Sequence, residues 1–151
     1  MNKKFKFKLD GLLKMRSFKE KMIKADLGKI VKKQTEIREK IESLKKDILE
    51  IYKAQKEAFD NGNVDGRMLQ FYPQFISQKK AHIVEITKLL SQSEIEYSEK
   101  VKELKVAMGE VKVVENMKER KKKEFKKKLD KKMQEELEDI INLRRKLAKG
   151  S

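Results

Sequence analysis

No cysteine occurs in the 151 residues. That excludes a disulfide framework and a thiolate metal site, and it suits a reducing compartment. No apolar run approaches the roughly 18 residues that a membrane span needs. The basic N-terminus is not followed by a continuous apolar segment, so no secretory signal is expected. Proline occurs once, at Pro73, and outside one short stretch little in the chain would break a helix. Histidine also occurs once, and the carboxylate nearest to His82 is Glu85 alone, too few ligands for a metal site. His82 is expected to face solvent. The pairs Glu135/Glu136 and Glu138/Asp139 decorate one helix instead of facing each other across a cleft, so they read as a solvated face rather than an acid–base pair. No catalytic residue, metal ligand, cofactor or small-molecule substrate is expected.

What is present is charge. Charged residues are 43% of the chain and mean hydropathy is -0.81, which would indicate disorder if the apolar residues were scattered. They are spaced three and four apart among Lys and Glu, the pattern of a long helix or coiled coil. Such a chain buries a thin seam, so a deep catalytic cavity is not expected.

Residues 59–73, FDNGNVDGRMLQFYP, gather two glycines, two asparagines, two aspartates and the proline. Asn61-Gly62 and Asp65-Gly66 are turn dipeptides, and Pro73 disfavours helical geometry at Tyr72, which places the start of a second helix close to it. The expected architecture is all-α: an antiparallel coiled-coil hairpin with a first arm over about 10–59, a tip over 60–71 and a second arm over about 72–149. Ahead of it, Phe5-Lys6-Phe7-Lys8-Leu9 alternates apolar and basic residues without a partner strand and reads as an extended lead-in.

On the first arm a helical spacing appears at Leu12, Met15, Phe18 and Met22. It then becomes heptads at Ile23, Leu27, Ile30, Gln34, Ile37, Ile41, Leu44, Ile48, Ile51, Gln55 and Ala58. Gln34 and Gln55 are polar seam residues of the kind that fix register. Gly28 should weaken its helix by about 1 kcal/mol relative to alanine. The second arm's seam runs through Ile76, Ile83, Ile86, Leu90, Tyr97, Val101, Leu104, Met108 and Val111, with a stutter at Tyr97–Leu104. Beyond the basic run it resumes at Phe125, Leu129, Met133, Leu137, Ile140, Leu143 and Leu147, the spacing of an almost straight helix.

Folding the arms about Asp65 pairs residues whose numbers add to roughly 130 at 1.5 Å per residue, so the second arm outruns the first by roughly 35–40 Å. That overhang carries its own apolar stripe with no helix left to cover it, the mark of a binding element. The net charge of +15 is confined to two blocks: residues 1–33 hold 12 basic and 3 acidic residues, and residues 118–132 hold 10 and 3. The fold places both blocks at the open end. Three readings stand: a solvated helical face, binding to nucleic acid or an anionic membrane, or docking into an acidic protein cavity. Near the tip, Tyr52, Phe59, Tyr72 and Phe75 either close the hairpin or form an aromatic hot spot for a protein.

Three groups of residues resemble the flagellar export protein FliJ family over nearly the full chain. They are Phe5-x-Phe7-x-Leu9-x-x-Leu12-Leu13-x-x-Arg16, the tip followed by Tyr72-x-x-Phe75-Ile76, and Glu138-x-x-x-x-Leu143-Arg144-Arg145. The resemblance implies a non-enzymatic two-helix coiled coil similar to a rotary ATPase stalk. It implies three partners in the flagellar type III export apparatus: the hexameric export ATPase, the cytoplasmic domain of the export gate membrane protein, and export chaperones. It also implies a cytoplasmic location, peripheral to the membrane. On the same footing Phe5, Phe7, Leu9, Leu12, Leu13, Arg16, Leu143, Arg144 and Arg145 would face the ATPase, and Tyr52, Tyr72, Phe75 and Ile76 the gate. The charge and overhang arguments add Lys121, Lys122, Lys123, Phe125, Leu129, Met133, Leu137 and Ile140 to the ATPase-facing end. The alternative is a generic coiled-coil scaffold, or a nucleic-acid-binding basic coiled coil.

Overall fold

The computed structural model describes residues 4–62 and 66–150. Among them the chain is an all-α hairpin of two helices, α1 (Asp10–Asp60) and the longer α2 (Gly66–Lys149), with no strand. Asp10 opens α1 and sets a carboxylate against the positive end of the helix dipole. At its other end α1 stops at Asn61-Gly62, where the Asn61 amide donates to the Glu57 carbonyl and Gly62 takes a φ of 66°. That left-handed geometry is open to glycine at little steric cost. Asp65, the other half of the expected turn, lies outside the described residues.

The second helix starts earlier than the proline suggests. Gly66 is already helical and Pro73 lies inside α2. The reason is the stripe that crosses it. Leu69, Tyr72 and Ile76 are spaced three and four apart, the first two are half-buried and Ile76 is buried. Their burial holds the helix through a residue that cannot donate its backbone bond, while Pro73 itself is exposed.

The chain divides into two compact units. The turn unit, Met22–Leu104, has a seam of Ile23, Leu44, Ile48, Ile76 and Ile86, each worth about 1.5–3 kcal/mol when fully buried. Its helices are antiparallel: Asp26 pairs with Lys100 at 3.6 Å and Asp47 with Lys79 at 3.4 Å. Among the described residues two of this unit are polar and buried, Gln34 and Ser93, and they stand at one level in that register. Ser93 satisfies its hydroxyl on the Leu90 carbonyl at 2.7 Å. A hydrogen bond to the Glu103 carboxylate raises the pKa of Lys100 above its ordinary value; partial burial opposes this, and the charges of Glu103 and Asp26 add to it. His82 is half-buried rather than fully solvent-facing.

The terminal unit comprises Met1–Lys21 and Lys105–Ser151. Ala107, Val111 and Val114 of α2 are buried, with Val114 only 1% exposed. Opposite them stand Leu9, Leu13 and Arg16, half-buried, with the Arg16 Nη1 donating to the Glu110 carbonyl at 3.0 Å. Met15 and Phe18, expected at the start of the seam, are exposed, as is Met22 at the edge of the turn unit. A continuous helix has one phase. Heptads running back from Ile23 reach Glu20, Arg16, Leu13 and Leu9, which puts Met15 and Phe18 on the outer side. On α2 the seam runs through Leu104, Ala107, Val111 and Val114 at three- and four-residue spacing, so Ala107 is buried and Met108, expected in the seam, is exposed.

Candidate partner-binding surfaces

The lead-in forms a strap over α2. Lys4, Lys6 and Lys8 are exposed while Phe5, Phe7 and Leu9 are half-buried, so the period of two lays alternate side chains against a helix instead of another strand. The Phe5 ring meets Phe125 at a centroid distance of 5.7 Å with the planes tilted by 50°. Asp10 of α1 ties the start of the helix to Lys118 at 2.9 Å. Between strap and helix runs a groove with Phe5, Phe7, Leu9, Met117 and Phe125 along it and Lys6, Lys8, Lys121, Lys128 and Glu124 around it.

Beyond Phe125 α2 has no cover among the described residues. Every residue of 126–149 is exposed and helical. At 1.5 Å per residue this stretch is roughly 36 Å long. Leu129, Met133, Leu137, Ile140, Leu143 and Leu147 recur along it at three- and four-residue spacing, between 37% and 70% exposed. Nothing among the described residues covers that stripe. The helix ends at Gly150, whose amide donates to the Lys146 carbonyl at 3.1 Å, with Lys146 and Lys149 in the last turn where cations suit the dipole.

The residues expected at the open end therefore separate by role. Leu129, Met133, Leu137, Ile140, Leu143, Arg144 and Arg145 are free surface, as are Lys121, Lys122 and Lys123, although Lys121 leans on Glu124 at 3.6 Å and Lys123 on Glu119 at 4.0 Å. Phe5, Phe7, Leu9, Leu12, Leu13 and Phe125 are half-buried and pack the strap and first turns. Arg16 is a cross-helix clasp.

Near the turn, Tyr52 and Phe75 do not come together. Phe75 shares a shallow groove with Tyr72, Asp47, Ile51 and Lys79. Tyr52 lies in another, beside Gln55, Pro73 and Lys80, with its hydroxyl 3.5 Å from the Lys80 ammonium. Ile76 is 6% exposed and belongs to the seam, so it offers a partner almost no surface. A residue not singled out in the sequence takes its place: Phe71 stacks on Phe75 at 6.4 Å with 30° between planes, and both rings are half exposed. The signal was available as an aromatic pair four residues apart, hidden by the reading of Pro73 as a helix start.

Among the described residues no group of three His, Cys, Asp or Glu side chains could hold a metal ion, and no helix is long and apolar enough to cross a membrane. In comparison with known proteins, the family model described as "Flagellar FliJ protein" matches residues 5–148. No curated protein and no solved structure matches the chain.

Proposed function

The chain belongs to the FliJ family, a non-catalytic component of flagellar protein export, and we propose that its uncovered helical stretch docks into the hexameric export ATPase. The observation that carries this is the stripe from Leu129 to Leu147, fully helical and without a partner among the described residues. Apolar side chains held at fixed spacing on a preformed helix lose little further freedom on binding, so their burial converts into affinity. The lysines of 118–132 would speed the encounter with an acidic cavity and make it sensitive to salt. The Phe71–Phe75 pair, with Tyr72 behind it, is the proposed contact for the export gate, since exposed aromatic side chains on a rigid helix dominate many interfaces. Export chaperones complete the proposed partner set on the family resemblance. The complex as a whole would hold the chain at the cytoplasmic face of the membrane.

Deleting residues 132–151 should abolish ATPase binding while circular dichroism still reports a helical hairpin. Unchanged affinity would refute the docking role. Phe71→Ala with Phe75→Ala should weaken gate binding and leave ATPase affinity as it was. If both affinities survive that pair, the turn surface is not the gate contact.

A further inference from the structure

The strap groove is chemically distinct from the bare stripe beyond it, and the proposed ATPase docking draws only on lysines at its edge, for steering. The terminal unit, Met1–Lys21 with Lys105–Ser151, holds 24 Lys and Arg against 11 Asp and Glu, whereas the turn unit holds 16 against 14. Nearly all of the net charge of +15 therefore sits in one unit. Within that unit the groove puts apolar residues and cations side by side, with Phe5, Phe7, Leu9, Met117 and Phe125 edged by Lys6, Lys8, Lys121 and Lys128. Among the described residues Lys6, Lys8 and Lys128 make no ion pair. The neighbouring Lys122, Lys126, Lys127, Lys131 and Lys132 make none either, so their charge is not spent inside the fold.

We propose that this groove and the lysines around it bind the surface of a bilayer containing anionic phospholipid. Residues 118–132 contain nine lysines and a single arginine. Lysine is a compact, hydrated point charge without the fork that reads one carboxylate or phosphate in a fixed geometry. A run of lysines distributed around a helix answers a smeared charge, as an anionic lipid surface presents, better than a patterned one. Stable attachment to a membrane surface takes a second signal besides charge. The strap supplies it: a non-helical segment over residues 4–9, with Phe5 and Phe7 only half-buried beside exposed Lys4, Lys6 and Lys8. Nucleic acid fits less well. Single-strand binding wants open aromatic faces for bases, and the Phe5 and Phe125 rings are turned against each other at 5.7 Å.

The test is co-sedimentation of the full chain with phosphatidylcholine vesicles, and with vesicles in which phosphatidylglycerol replaces part of the phosphatidylcholine. Binding is expected only to the second kind and should fall as salt is raised. The variant Lys6→Gln/Lys8→Gln/Lys121→Gln/Lys128→Gln should lose about a hundredfold or more in partitioning. Phe5→Ala/Phe7→Ala should lose binding at unchanged charge. The control Lys40→Gln/Lys46→Gln/Lys53→Gln/Lys56→Gln removes equal charge from exposed positions of the turn unit and should bind nearly as wild type. Circular dichroism of each variant checks that the helices persist. The proposal is overturned by no binding to the anionic vesicles, by equal binding to phosphatidylcholine alone, or by an equal loss in the control. It is also overturned if duplex or single-stranded DNA binds more tightly than the vesicles at matched phosphate. None of these outcomes involves the ATPase, so failure here leaves the docking proposal to its own test.

Discussion

Two leucines in the stripe and one valine in the seam should trade places in what they control. Leu137 and Leu143 are 59% and 62% exposed in the free chain. Burying a leucine fully is worth about 1.5–3 kcal/mol. With about 60% of each side chain still open, docking could gain roughly 1–2 kcal/mol per residue and about 2–3.5 kcal/mol for both. At 1.4 kcal/mol per decade, Leu137→Ala with Leu143→Ala should weaken ATPase binding by about 30- to 300-fold. The melting temperature of the free chain should scarcely move, because surface substitutions usually stay within about 0.5 kcal/mol. Val114 is the reverse case at 1% exposure. Val114→Ala should cost about 2 kcal/mol in the seam, a fall of roughly 4–8 °C for a chain of this size, with ATPase affinity unchanged below the transition.

Isothermal calorimetry against the ATPase and thermal melts followed by circular dichroism read both quantities on the same samples. Sedimentation velocity shows whether the free chain is a monomer. Stripe variants that bind the ATPase normally would refute docking through this surface. Stripe variants that melt as early as Val114→Ala would refute the premise itself, since the stripe would then be packed before any partner arrives.

Four further outcomes follow from the backbone and one ion-pair cluster. An added Cβ at Gly28 meets nothing within 4 Å, so Gly28→Ala should stabilise by about 1 kcal/mol; Gly62→Ala, at a φ of 66°, should destabilise by about 1–2 kcal/mol, and denaturant melts of the two read the opposite signs. Pro73→Ala restores a backbone donor inside α2 and should stabilise by up to about 3 kcal/mol; a lower denaturation midpoint would show that the proline is needed for the turn. The raised pKa of Lys100 means its ion-pair contribution is complete at neutral pH and is lost as pH rises through that raised value. Wild type should therefore lose more of its melting temperature on strong alkalinisation than Lys100→Met, and parallel losses would contradict the assignment.

Which features the sequence makes legible depends on how many residues vote on each. The seam phase of α1 is set by eleven heptad positions from Ile23 to Ala58, and the two-helix plan with a longer second helix follows from it. Facing partners such as Asp26 and Lys100, or Phe5 and Phe125, have numbers that add to 126 and 130, close to the sum the sequence leads one to expect. The bare stripe is legible for the same reason, being a difference between two long lengths. The failures rest on few residues. Leu12, Met15, Phe18 and Met22 offer a plausible spacing over only four positions, and the longer register outweighs it. Pro73 argues locally for a helix boundary, yet Leu69, Tyr72 and Ile76 continue the seam across it. The polar seam level contains the same lesson: Gln34 was visible as an interruption, but Ser93 opposite it becomes meaningful only once the arms are in register. Met15 and Phe18, which a short pattern assigns inward and the long pattern turns outward, therefore add exposed apolar surface to that of the bare stripe. Local spacing alone would have buried both side chains.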